Sequence, residues 1–196
     1  MKKKLLAVFI VIAVIQLAIP LSMIIRREIT LSRGEVYKFQ VEPVDPYDPF
    51  RGRYVDVRLK NDALIVSKDF ESRPGQKVFV TLEKDQKGYA KFAGIQLEKP
   101  KQGNYFATKI LYSFEDDYGN QEIHVEIPFD RYYMEEKLAP KAEQVYREEI
   151  DNAYLTIRFL KGFGVVEQLF INEMPIEDYL LTGRIKFNKI FAKTDL

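Results

Sequence analysis

An apolar run near the N-terminus constrains this chain more than any other feature. From Leu5 to Ile25 every residue is apolar except Gln16, Pro20 and Ser22. Lys2, Lys3 and Lys4 precede the run, and Arg26-Arg27 closes it. As a helix it is roughly 30 Å long, the thickness of a bilayer's hydrocarbon core. A cleaved signal peptide has a shorter apolar region, of about 7–15 residues, followed by a small-residue cleavage site. No A-x-A-like site follows here, and the absence of cysteine excludes lipoprotein attachment. Residues 1–28 are therefore read as an uncleaved signal anchor, a transmembrane helix that Pro20 is placed to kink near its outer end. The lysine-rich flank outweighs Arg26-Arg27-Glu28, so the positive-inside tendency puts the N-terminus in the cytoplasm. Residues 29–196 then form one domain outside the cytoplasm.

Charge narrows what that domain can bind. Residues 1–28 hold five of the chain's 30 basic and one of its 29 acidic side chains, which leaves 25 and 28, a net of −3. A near-neutral domain lacks the basic face of a nucleic-acid binder and the polybasic patch of a lipid-surface binder. With 46% hydrophobic and 30% charged residues the chain has the composition of a folded protein, not a disordered one.

Period-two alternation recurs along the domain and reads as strand. It marks residues 35–41, 54–59, 77–82, 89–97, 105–114, 121–127, 153–160 and 165–171. Residues 63–66 fit either a strand or a short helix. Arg73-Pro74-Gly75-Gln76 carries the signature of a type II turn, and residues 115–120 supply the turn of a hairpin. Lys161-Gly162-Phe163-Gly164 is too short for a phosphate loop and reads as a tight hairpin. The interval from Asp130 to Glu149, rich in Glu, Lys, Ala and Gln, reads as helix interrupted by Pro140. Residues 175–181 read as a short helix, and residues 184–191 as a last strand or a loose tail. The predicted fold class is mainly β: an N-terminal transmembrane helix, then a barrel- or sandwich-like domain of about eight strands with one helical insertion.

Reaction chemistry is sparse. With no cysteine and a single histidine, His124, the chain lacks the parts of a zinc site or of a Cys–His or Ser–His nucleophile. His124 alternates with Ile123 and Val125 and is read as a solvated or structural side chain on a hairpin's polar face. No cofactor signature is present, and none is expected to bind. Carboxylates could gather in two places, Asp45, Asp48 and Asp56 in one and Glu135, Glu136 and Glu143 in the other. The neighbouring Arg51, Arg53 and Arg131 favour an Arg–carboxylate lattice over paired acids, because a guanidinium holds a carboxylate bidentately.

Two segments concentrate Arg, Tyr and acid. The first, Asp45–Leu59, reads D-P-Y-D-P-F-R-G-R-Y-V-D-V-R-L, a stiff loop with two Asp-Pro steps that delivers Tyr54 onto a strand. The second, Phe129–Glu143, reads F-D-R-Y-Y-M-E-E-K-L-A-P-K-A-E. Together they resemble the GDYXXLXY protein family of bacterial membrane-associated proteins. Asp45-Pro46, Arg51-Gly52 and Tyr54 match the first family segment; Arg131, Tyr132, Tyr133, Glu136 and Glu143 match the second. Arg53 stands where the family name has Asp, Val57 where it has Leu, and Leu59 where it has the final Tyr. A Pro-Glu-Gly step is replaced by Glu135-Glu136-Lys137. The resemblance implies membrane association and no particular activity. The expected site is one where the two segments meet, as a structural clasp or a partner-binding surface. The expected function is a membrane-anchored accessory or binding module for another envelope or membrane protein. The alternatives are an extracytoplasmic hydrolase using carboxylates or a Ser–Lys pair, and a structural envelope protein.

Overall fold

A computed structural model describes residues 2–42, 54–60, 63–67, 70–115 and 119–182. The apolar run lies in one helix, α1 (Lys2–Arg33), which passes through Pro20 and continues beyond the Arg26-Arg27 flank. Its large apolar side chains from Leu5 to Ile25 are exposed, and it is long and apolar enough to cross a membrane. At 32 residues it spans about 48 Å, so its last two turns extend past the apolar segment. Those turns end against protein. Thr30 is buried, its hydroxyl donates to the Arg26 carbonyl, and the Gly34 amide donates to the Thr30 carbonyl.

The rest of the described chain is mainly strand: β1 (Glu35–Glu42), β2 (Tyr54–Asp56), β3 (Arg58–Leu59), β4 (Ala63–Val66), β5 (Lys77–Lys84), β6 (Ala90–Gln96), β7 (Tyr105–Glu115), β8 (Gln121–Val125), β9 (Arg131–Tyr133), β10 (Ala153–Leu160), β11 (Phe163–Ile171) and β12 (Met174–Pro175). Three helical segments join them, α2 (Ala139–Glu148), a short 3-10 turn (Ile150–Asn152) and α3 (residues 176–182). One sheet has the order β12-β11-β10-β1-β3 and another β4-β8-β7-β5-β6, while β2 and β9 form a two-stranded ribbon. A parallel bridge between Lys38 and Tyr89 links the two large sheets. The run from Tyr54 to Leu59 changes partner at Val57, whose amide donates to the Asp130 carbonyl. The result is a nearly closed, barrel-like β structure.

Local signals placed most strands within a few residues. Gly75 has φ 79° and the Gln76 amide reaches the Arg73 carbonyl, as the Pro-Gly turn requires. Lys161 and Gly162 both have positive φ, the conformation of a two-residue hairpin turn. The expected count of about eight strands and one helical insertion is low. Tyr54–Leu59 is two short strands serving different neighbours, and residues 63–66, 131–133 and 174–175 add three more. The helix expected from Asp130 to Glu149 is confined to Ala139–Glu148, and Pro140 sits at its start rather than interrupting it. Proline suits a helix's first turn, where its missing amide costs no hydrogen bond. The expectation for residues 184–191 lies outside the described residues.

Inward side chains form one core. Val55, Ile123, Leu155, Ile157, Leu169 and Ile171 are fully buried. Phe159 is its aromatic centre, with the rings of Phe129, Tyr37, Phe106 and Phe39 at 5.4–6.2 Å. Gly164 lets this cluster close. A Cβ there would come within 2.5 Å of Phe129 and 2.7 Å of Phe159. Gly164→Ala is expected to destabilise the protein by about 1–3 kcal/mol through overpacking, measured as a lower denaturation midpoint; an unchanged midpoint would show that the rings can shift at no cost.

Three tyrosine phenols are pushed above the ordinary range, in each case chiefly by burial: Tyr132, Tyr146 and Tyr154. Glu177 adds to the effect at Tyr132 and Glu173 at Tyr154, while the Tyr146 hydroxyl donates to the Glu42 carbonyl at 2.7 Å. In the unfolded chain a phenol ionises near pH 10. The folded state holds these protons to higher pH, so stability is retained below about pH 10 and lost as pH rises through the folded values. Thermal midpoints should drop steeply above about pH 10, and Tyr146→Phe should lessen that slope.

Candidate functional site

The ribbon β2–β9 brings together the two Arg- and Tyr-rich segments. Its antiparallel register sets Tyr54 opposite Tyr133, Val55 opposite Tyr132 and Asp56 opposite Arg131. Strand alternation then separates two faces. Val55 and Tyr132 point into the core. On the other face, Tyr54 and Tyr133 meet edge to face at 5.6 Å, and the Arg131 guanidinium lies 5.0 Å from the Tyr54 ring centroid. Tyr133 is 66% exposed. A hydrogen bond with Tyr133 raises the pKa of Arg131, and the charge of Asp130 adds to this.

The adjacent Tyr132 and Tyr133 therefore do different work. Tyr132 is 6% exposed and its hydroxyl donates to Glu177 Oε1 at 2.6 Å, while Gln168 Nε2 donates to Glu177 Oε2 at 2.7 Å. This bridge ties the ribbon to β11 and α3. Glu177 and Gln168 carry no local motif, and nothing in the amino-acid order singles them out.

Beside the ribbon, a cleft of about 610 Å³ separates the domain from the C-terminal part of α1. One wall is helical: Met23, Ile24, Arg26 and Arg27. The other comprises residues 128–133 and the start of β11, from Phe163 to Glu167. The Arg26 guanidinium sits 4.0 Å from the Phe163 ring centroid, closing one end. In the sequence Arg26 and Arg27 mark only a topology flank. Their position on the helix face opposite a hairpin is a tertiary fact.

Of the residues selected from the sequence, Tyr54, Arg131 and Tyr133 form one surface, and Tyr132 lies behind it. Asp45, Pro46, Arg51 and Gly52, together with Asp48 and Arg53, lie outside the described residues. Glu136 is exposed in the turn before α2. Glu143 is on α2, 3.6 Å from Arg147 one turn later. Among the described residues, no three carboxylate or imidazole groups gather as a metal site would require. His124 is less solvated than its strand position implied: it stacks 4.5 Å from Tyr112 and 5.5 Å from Phe114, with Glu122 at 3.2 Å.

The family model described as "GDYXXLXY protein" matches residues 16–169. The chain belongs to the GDYXXLXY protein family. Comparison with curated proteins and with solved structures returned no match. The matched span runs from the middle of α1 to near the end of β11, so it includes both walls of the cleft and the whole ribbon. The fold rationalises two of the departures from the GDYXXLXY name, those at Val57 and Leu59. Val57 and Leu59 are both 2% exposed, so those positions need an apolar side chain that fits the core, and Val and Leu meet that need. Tyr132→Phe should cost about 1–2 kcal/mol, because Glu177 loses a charge-assisted hydrogen bond. Tyr133→Phe, on the exposed face, should stay within about 0.5 kcal/mol of wild type. Equal effects in chemical denaturation would contradict this division.

Proposed function

We propose that this GDYXXLXY protein is a single-pass membrane-anchored accessory module, its β domain outside the cytoplasm, that binds another envelope or membrane protein through the outer face of the β2–β9 ribbon. The observation that carries the reading is the Tyr54–Arg131–Tyr133 surface, with Arg131 and Tyr133 exposed and Tyr54 half-buried, beside a helix of membrane-spanning length. Tyr and Arg dominate interface hot spots because they present large contact area and a directional charge. Here the three are preorganised by strand pairing and by the buried Tyr132 behind them, which lowers the ordering cost of association. The unequal flanks of α1 support the orientation, with Lys3 and Lys4 at one end.

The test has two arms. Protease added to intact spheroplasts should digest the domain while sparing the N-terminal flank; a protected domain would refute the orientation. Crosslinked copurification of the full-length chain should recover a membrane or envelope protein. Tyr133→Ala and Arg131→Ala should each weaken that capture roughly tenfold without lowering the thermal midpoint. Undiminished capture by both variants would remove the ribbon as the binding surface.

A further inference from the structure

The cleft between α1 and the domain has an uneven chemistry along the helix axis. Met23 and Ile24 are 67% and 58% exposed and face it at one level. Arg26 and Arg27 face it one turn later, about 5 Å further along the axis. The apolar run ends at Ile25. In a helix that spans a bilayer, the hydrocarbon boundary therefore falls between these two levels, and the cleft straddles it.

Its charge is cationic in effect. Arg26, Arg27 and Arg131 line it, against Asp130 and Glu167. Glu167 is engaged by Arg158, 2.7 Å from Nε, and Asp130 stands by Arg131. The Arg27 side chain has no hydrogen bond, ion pair or ring contact among the described residues. A guanidinium without a protein partner at the mouth of an amphipathic cleft is suited to phosphate, which it binds bidentately. The volume, about 610 Å³, falls in the range of roughly 300–1,000 Å³ common for small-molecule sites. It accommodates a headgroup and the first part of its acyl chains.

From this we propose that the cleft binds the headgroup of an anionic phospholipid of the outer leaflet, with its phosphate on Arg27 and its acyl chains along Met23 and Ile24. This rests on the anchored, domain-outside reading above. Arg131 and Tyr133 line both the cleft and the proposed partner face, but Arg27, Met23 and Ile24 belong to the cleft alone, so an Arg27 variant separates the two sites. A lipid held there would fill the space between anchor and domain and so steady the ribbon's position relative to the bilayer.

The experiment uses the full-length chain in nanodiscs of phosphatidylcholine with or without phosphatidylglycerol. Lipid retained after mild release is read by native mass spectrometry. Phosphatidylglycerol should be retained preferentially. Arg27→Gln should reduce that retention about fivefold, the worth of one Arg near an anionic surface, and Lys4→Gln at the helix's other end should not. Equal retention of both lipids, or by Arg27→Gln and wild type, in chains that are fully inserted would overturn the lipid site and leave the anchor reading standing. A chain that does not insert would overturn both. Inorganic phosphate added to lipid-depleted protein should not raise its thermal midpoint as phosphatidylglycerol does; equal effects would identify a free-phosphate site instead. A photoreactive residue in place of Ile24 should label lipid, whereas a protein adduct there would replace the lipid with a partner's transmembrane segment.

Discussion

The clamp that Arg158 makes at the end of α1 is the interaction on which the rest of the arrangement depends. Its Nη1 donates to the Gly34 carbonyl at 3.2 Å and its Nε to Glu167 at 2.7 Å. One guanidinium thus joins the helix terminus to both strands of the β10–β11 hairpin. No linker intervenes, since β1 begins at Glu35. Gly34 allows the approach: a Cβ would collide with the Thr30 carbonyl and press on Arg158. A flexible tether would let the domain turn freely relative to the helix. This joint instead fixes the last helical turns against the hairpin and so creates the cleft.

The ribbon is the second consequence of a change in partners. β2 and β3 are continuous in sequence, yet β2 pairs with β9 and β3 with β1. Val55, Val57 and Leu59 all remain inside across the switch, so core packing holds the run while its backbone serves two neighbours. Because side chains alternate, burying Val55 and Tyr132 obliges Tyr54 and Tyr133 to face outward. An outward aromatic pair capped by Arg131, Tyr133 exposed and Tyr54 half-buried, follows from how the core is filled. Its placement beside α1 gives the surface its interest, since Tyr and Arg are the side chains that carry binding energy when desolvated.

Local signals were legible in the amino-acid order. The apolar run, the period-two segments, the Pro74-Gly75 turn and the Lys161-Gly162 hairpin each depend on residues that are near neighbours in the chain, where sterics and periodicity act directly. Membership in the GDYXXLXY family was legible too, from the order and spacing of two segments. The composition of residues 131–133 misled, because the strand there exists only through pairing with β2 and its own propensity is overridden. Pro140 was read as a break where it is a start, because a proline's effect depends on which turn of the helix it occupies.

The sequence by itself determined the long exposed helix, the β character of the domain behind it and the residue types gathered in two motifs. Only the tertiary structure decided that Tyr54 lies opposite Tyr133, that Tyr132 turns inward to Glu177 and that Arg27 faces a cleft. The reason is physical. Helix length and strand alternation are properties of consecutive residues, but strand partners and cleft walls are chosen by competition among distant apolar faces for one core. No residue in Phe129–Glu143 encodes its distance from Tyr54 until that core is formed.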